Sequence, residues 1–181
     1  QLNFLIFKAA QEIVLPKYKE NAQVDYDQFI KESQYDYQSI KSIYETGRKW
    51  SLEYFEKIYK RLGTNFDGYY PESRTGEFGY DMVLDGLKKG IFEKGDRGAI
   101  IYPGEKKGIH NRVFINSMGL PTYETKDFGN AKAKFKDFKY DASIIVTGNE
   151  INEYFHVVLS ALKEYDQKLG NSTIHIGHGM V

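Results

Sequence analysis

A β-branched run, Ala142–Val146, is followed by an amphipathic stretch, Ile151–Tyr165, and then by a second extended run, Thr173–Ile176. This order constrains the chain more than any other feature. Two short apolar strands joined by a helix of that length cannot form a hairpin, because the connection carries the chain back to its starting end. The sequence therefore predicts a parallel βαβ unit, with Ala142–Val146 short enough to be a buried strand. Tyr154, Phe155, Val158, Leu159 and Leu162 recur at helical spacing and mark the face of the connecting helix that turns inward.

The middle of the chain has a different rhythm. Tyr80, Val83, Leu84 and Leu87 predict a helix within Thr75–Gly90, ended by Gly90. Short strand-like pieces follow at Ile91–Glu93, Ala99–Tyr102 and Val113–Ile115, separated by Gly95, Gly98, Gly104 and Gly108. They read as a small antiparallel meander. Asn116–Gly119 turns the chain into an extended Leu120–Tyr123, and a further helix is expected over Phe128–Phe138.

The first third is helical by pattern. Leu2, Leu5, Ile6, Ala9 and Ile13 form one run before Pro16, and a second starts near Asp25. Ile40, Ile43, Tyr44, Gly47, Phe55, Ile58, Tyr59 and Leu62 form the strongest run, as one long helix or two broken near Gly47, with Gly63 past the end. Trp50 reads as core. Both ends of the sequence look cut from something longer, since it opens inside an apolar run and stops in a strand-like one.

Composition narrows the chemistry. With 41% hydrophobic and 28% charged residues among 181, the chain can bury a core. Lys and Arg number 25, as do Asp and Glu, so any contact with nucleic acid rests on a local patch. The one local basic run is Lys126, Lys132, Lys134, Lys136 and Lys139, which reads as a solvated helix face or as an RNA-facing surface. There is no cysteine, which excludes disulfides, thiolate metal sites and a cysteine nucleophile. The four histidines show no metal-ligand spacing. No apolar stretch approaches a membrane span and no secretory signal is visible, so a cytoplasmic setting without membrane contact is expected.

His175-Ile176-Gly177-His178 spells the HIGH tetrapeptide with which class I aminoacyl-tRNA synthetases hold ATP phosphates. That element works where a strand opens into a helix, whose N-terminus meets phosphate. Here it lies inside strand-like residues after a helix, so its context argues against that role.

A longer resemblance accounts for it. Gly47-Arg48-Lys49-Trp50, Phe66 through Ser73, Lys89 through Phe92, Gly98-Ala99-Ile100 and Arg112 through Ile115 resemble, in order, the catalytic region of arginyl-tRNA synthetases. Leu120-Pro121-Thr122-Tyr123-Glu124-Thr125-Lys126-Asp127 is the most diagnostic stretch, and Val146 through Glu150 and Gly177 through Val181 complete the series. The resemblance implies an α/β fold: part of a Rossmann-type class I catalytic core with a helical N-terminal part and a small antiparallel insertion. All of it falls in one catalytic domain, with a helical segment over 1–65, the insertion and arginine-site strands over 66–125, and the βαβ half over 126–181. The family's own HIGH element would lie upstream of this stretch and its KMSKS loop downstream.

The resemblance also implies an activity. Arginine is activated with ATP as substrate, with Mg2+ in the intact enzyme, and passed to the 3′ end of its tRNA. Glu72 and Asp127 would hold the arginine guanidinium, whose five donors call for carboxylates, and Tyr123 would line the same pocket. Gly179, Met180 and Val181 would give adenine a backbone seat. By pattern alone Glu72 and Asp127 read as helix caps and Tyr123 as core. Where many members carry an arginine-contacting glutamine this chain has Ile151, which can neither donate nor accept; Asn149 or Asn152 could cover that contact, and neither is assigned to it. The piece alone is expected to be inactive, and a non-catalytic, synthetase-derived binding module is the alternative reading.

Overall fold

The computed structural model describes residues 37–179. The helices expected around Leu2–Ile13 and from Asp25 lie outside the described residues, as do Met180 and Val181. The described residues divide into two compact units, with the boundary in the chain between Tyr69 and Tyr70.

In the first unit, α1 (Tyr37–Leu62) is one uninterrupted helix through Gly47. Beyond it the chain doubles back: Thr64 N–H donates to the Tyr59 carbonyl, and Phe66 sets its edge on Tyr59, with ring centroids 4.7 Å apart. The Tyr69 hydroxyl donates to Glu56 at 2.5 Å, and that bond pushes its pKa up to about 12. The expectation that Trp50 is core is corrected, since it is 67% exposed. Ile43, Phe55 and Leu62 of the apolar run are exposed as well.

The second unit holds the remaining elements: α2 (Glu72–Lys88), β1 (Glu93–Lys94), β2 (Ile100–Tyr102), β3 (Arg112–Ile115), α3 (Tyr123–Asp137), β4 (Ser143–Gly148), α4 (Asn152–Tyr165), α5 (Gln167–Ser172) and β5 (Thr173–His178). It mixes helix and strand around two small sheets. The first is antiparallel in the order β1-β2-β3, with Lys94 opposite Ile100, Tyr102 opposite Arg112, and an irregularity between Ile100 and Ile101. The second pairs β4 with β5 in parallel, Ser143 against Thr173 through Gly148 against His178, with α4 and α5 as the connection.

Apolar burial centres on rings. Phe92, Tyr102, Phe114 and Phe128 are all essentially inaccessible, and Phe92 meets Phe114 edge-on at 4.8 Å and Phe128 at 5.7 Å. Tyr80 and Val83 of α2 are equally buried, as the periodicity predicts.

Three expectations need correction. Leu120–Tyr123 is not a strand: only Pro121 bridges to Ile115, and the helix starts at Tyr123, five residues earlier than expected. The connection in the βαβ unit contains a second helix, α5, capped by Asp166, whose carboxylate accepts from Leu169 N–H at 3.0 Å. And β4 is not buried on both faces. Side chains alternate along a strand, and Ile144 and Val146, with Ile174 and Ile176 beside them, form an exposed apolar face. Ser143 and Thr173 are buried on the other side.

Candidate functional site

Two helix starts make the site. Pro71 precedes α2, and its carbonyl accepts from the Arg74 and Thr75 N–H groups, leaving Glu72 in the first turn, where a negative charge is favoured. The start of α3 is fastened to the end of β3. The Thr122 hydroxyl donates to the Val113 carbonyl at 2.8 Å, and the Thr125 hydroxyl donates to the Phe114 carbonyl. Tyr123, Lys126 and Asp127 then fall three and four residues apart, on neighbouring positions of one helical side.

A close crossing brings the two starts within reach. A Cβ on Gly79 would overlap the Thr125 carbonyl, and one on Gly129 would overlap the Thr75 carbonyl and the Gly79 nitrogen. Only glycine at both positions lets the backbones touch. The first turn of α2 then straddles α3: Glu72 pairs with Lys126 near one end, and Arg74 makes a two-pronged contact with Asp137 at 2.9 Å near the other.

One ammonium ties the sequence-derived residues together. Lys126 Nζ lies 2.6 Å from Glu72 Oε2 and 4.8 Å from the centre of the Tyr123 ring. Asp127, the next residue, accepts a hydrogen bond from the Tyr154 hydroxyl of α4 at 2.6 Å. Burial raises the Asp127 pKa above the ordinary carboxylate value, and the charges of Glu72 and Glu124 add to the rise; the Tyr154 bond and Lys134 oppose it. Burial and the Asp127 charge together hold the Tyr154 phenol far above its usual range. Arg112 closes the side of the cluster, over the Tyr154 ring at 5.6 Å and within 3.4 Å of Glu124.

Lys134, one helical face along from Asp127, donates to the Ser143 hydroxyl at 2.6 Å, and burial lowers its pKa. Between the two, the buried side-chain amide oxygen of Asn130, Oδ1, finds no partner among the described residues.

The reading of Glu72 and Asp127 as helix caps does not describe the structure. Pro71 and Thr122 hold the cap positions, and Asp127 lies in the second turn of α3. Nor is Tyr123 core, for it is 68% exposed. Lys126, Tyr154, Arg112 and Asn130 were not singled out for this site from sequence. The polar positions 127, 130 and 134, threaded between buried Phe128, Ala131 and Ala133, carry a signal that could have found some of them.

At the far ends of β4 and β5, Gly179 is exposed and Asn149–Ile151 forms a 3-10 turn. A Cβ on Gly177 would overlap the Asn152 amide, so that side chain lies against the β5 backbone. The tetrapeptide His175–His178 is strand. Two surface hollows lie elsewhere. One, of about 550 Å³, is lined by Asp96, Arg97, Val113 and Asn116, and the other, of about 440 Å³, by Glu56, Tyr59, Phe66 and Tyr69.

Among curated proteins, the chain is 32% identical over 142 residues to the arginine–tRNA ligase of Bacteroides fragilis, a match covering 78% of the chain and 24% of the ligase. The arginine–tRNA ligase of Flavobacterium psychrophilum is 34% identical over 144 residues, with 79% and 24% covered. This stretch is homologous to part of the arginine–tRNA ligases. The chain spans about a quarter of the length of those ligases. No family model matches it. Among solved structures, an arginyl-tRNA synthetase from Plasmodium falciparum superposes with a TM-score of 0.66 at 21% identity, covering 91% of this chain and 28% of that one. A Campylobacter jejuni protein described as an arginyl-tRNA synthetase gives 0.67 at 18%, covering 97% and 41%. The fold is therefore shared with arginyl-tRNA synthetase structures.

Proposed function

We propose that this chain is the amino-acid-selecting part of a class I arginine–tRNA ligase, with Glu72, Tyr123 and Asp127 forming the seat for the arginine side chain. The observation that carries the reading is the gathering of a carboxylate and an aromatic face around one cation, Lys126 Nζ, with a second carboxylate on the adjacent residue. A guanidinium loses water on binding and needs acceptors in its plane and a ring beside it. Homology to a stretch of arginine–tRNA ligases supports the same assignment.

In the complete reaction the arginine carboxylate attacks the α-phosphate of ATP. The bond to the β-phosphate breaks, pyrophosphate leaves, and arginyl-adenylate remains. A hydroxyl of the 3′-terminal ribose of the tRNA then takes the arginyl group, and AMP leaves. The contribution of this chain is to orient arginine through its far end, so that binding energy is spent on placing the reacting carboxylate. The β4–α4–β5 unit would be half of a Rossmann-type core, with Gly179, Met180 and Val181 offering backbone to adenine. Among the described residues no group of three His, Asp or Glu side chains lies ready to hold the Mg2+ of the intact enzyme. Among those residues no helix is long and apolar enough to cross a membrane, and we place the intact ligase in the cytoplasm.

Titration of L-arginine into the chain tests the seat. Asp127→Asn keeps the shape and removes one charge, and should weaken binding by about 1–3 kcal/mol, the range for a lost charged hydrogen bond. Unchanged affinity would overturn the assignment. By itself the 181-residue chain should catalyse no arginine-dependent ATP–pyrophosphate exchange, since it spans only 24% of the matched ligases.

A further inference from the structure

The cation already present in the cluster competes with any cation that a ligand brings. Lys126 is tethered beside Glu72 by its own helix, with its ammonium against the carboxylate and over the Tyr123 ring, the two kinds of partner an incoming side-chain cation would use. It is only a quarter exposed, whereas Glu72 is more than half exposed and open to a ligand from solvent. The neighbouring Asp127 has one oxygen committed to Tyr154, and among the described residues no hydrogen-bond donor reaches the other.

We propose that Lys126 is a built-in competitor for the guanidinium seat: it occupies the seat until arginine displaces it, and so lowers the affinity for any incoming cation. The proposal rests on the arginine-seat reading above. A ligand lysine would bring the same ammonium that Lys126 supplies. It would have to compete with a group held on the same molecule at a high effective concentration, and would gain no new geometry. Arginine brings a planar fork of five donors. It can take Glu72 and the other Asp127 oxygen together, which a single ammonium at the Lys126 position does not do. The displaced Lys126 ammonium swings into water on its flexible four-carbon stem, at the cost of one partly exposed ion pair. A citrulline side chain, of nearly the same shape but uncharged, has no charge with which to replace it.

The test titrates L-arginine, L-lysine and L-citrulline into the 181-residue chain, its Lys126→Gln and Lys126→Arg variants, and Asp127→Asn, following amide NMR shifts that also report that each variant is folded. The wild type should prefer arginine, with citrulline silent. In Lys126→Gln the seat is vacant, and arginine and lysine binding should both strengthen by about three- to fivefold, the range of a partly exposed ion pair, with the preference for arginine unchanged. Lys126→Arg installs a tethered fork on Glu72 and should weaken arginine binding by a similar factor. If wild type binds arginine and Asp127→Asn weakens it, yet neither Lys126 variant changes any affinity, the displacement proposal falls and the seat stands. If wild type binds none of the three, the seat falls and the proposal with it.

Discussion

The Tyr154 hydroxyl donates to Asp127 Oδ2 at 2.6 Å and so joins α4, the connection of the parallel pair, to α3, which carries the site. The bond orients a carboxylate and opposes the rise in its pKa that burial brings. It also explains why Asp127 is more than a surface charge: one hydrogen bond orients the carboxylate before any ligand arrives, which is what selection by a fork of hydrogen bonds requires.

Ionised Asp127 should cost the protein stability. Its pKa is raised in the folded state, chiefly by burial, with Glu72 and Glu124 adding to the rise and Tyr154 and Lys134 opposing it. A carboxyl that holds its proton more tightly when folded makes the folded state bind more protons than the unfolded one. Stability therefore falls as pH rises from the ordinary 3.8 through the raised value. Asp127→Asn keeps an acceptor for Tyr154 and removes the charge. We expect it to melt higher than wild type at neutral pH, with the gain shrinking to nothing below pH 3.8. A melting series from pH 3 to 8 checks this, and a variant less stable at pH 7 would refute it. Stabilisation by the substitution that weakens arginine binding is what a functional carboxylate predicts.

Tyr154→Phe probes the other partner. It leaves the buried carboxylate without its donor, an asymmetric loss that costs about 1–3 kcal/mol. Denaturant titration should show that loss at pH 7 and a smaller one at acid pH, where Asp127 is neutral.

The crossing of α2 and α3 has no room for a methyl group. Gly129→Ala would set a Cβ into the Thr75 carbonyl and the Gly79 backbone, which are not free to move as a side-chain tip is. Overpacking of this kind costs about 1–3 kcal/mol. Because the crossing also sets the distance between Glu72 and Lys126, the variant should lose affinity for arginine even where it remains folded. Calorimetric titration below its melting point reads that loss, and undiminished affinity would separate the crossing from the site.

Much of this was legible in sequence, and the failures have local causes. The parallel pairing of β4 with β5 follows from a β-branched run, a helix and a second run, a pattern with few other solutions. The α2 core face follows from Tyr80 and Val83. Gly47 left one helix or two open, and the helix runs through because a glycine inside it costs only about 1 kcal/mol and, among the described residues, nothing lies near it to make use of a break. Tyr123 was misplaced because Leu120-Pro121 looks extended, whereas the hydroxyls of Thr122 and Thr125 satisfy β3 carbonyls and let a helix start at once. Exposure of Ile144 and Val146 was not legible, since an apolar run is the same letters whether one face or both are covered. The gathering of Glu72 with Lys126, 54 positions apart, depends on two glycines that carry no chemical signal of their own.

The tetrapeptide His175–His178 gives the last prediction. His175 lies in β5 with its ring stacked on Phe155, centroids 4.2 Å apart and planes 16° from parallel, and its Nε2 is 2.7 Å from the Thr147 hydroxyl. Thr147 is on the paired strand, so this imidazole joins β4, β5 and α4. A phosphate ligand needs N–H groups that point outward from a helix start, whereas this ring is spent on internal contacts in a strand. Addition of ATP to the chain should therefore leave the His175 ring resonances in place. His175→Ala should remove the stack and orphan the hydroxyl, lowering stability by about 1–3 kcal/mol, and His175→Phe should recover the stacking part alone. A His175 ring that shifts on titration with ATP, or a His175→Ala chain as stable as wild type, would return the tetrapeptide to nucleotide binding.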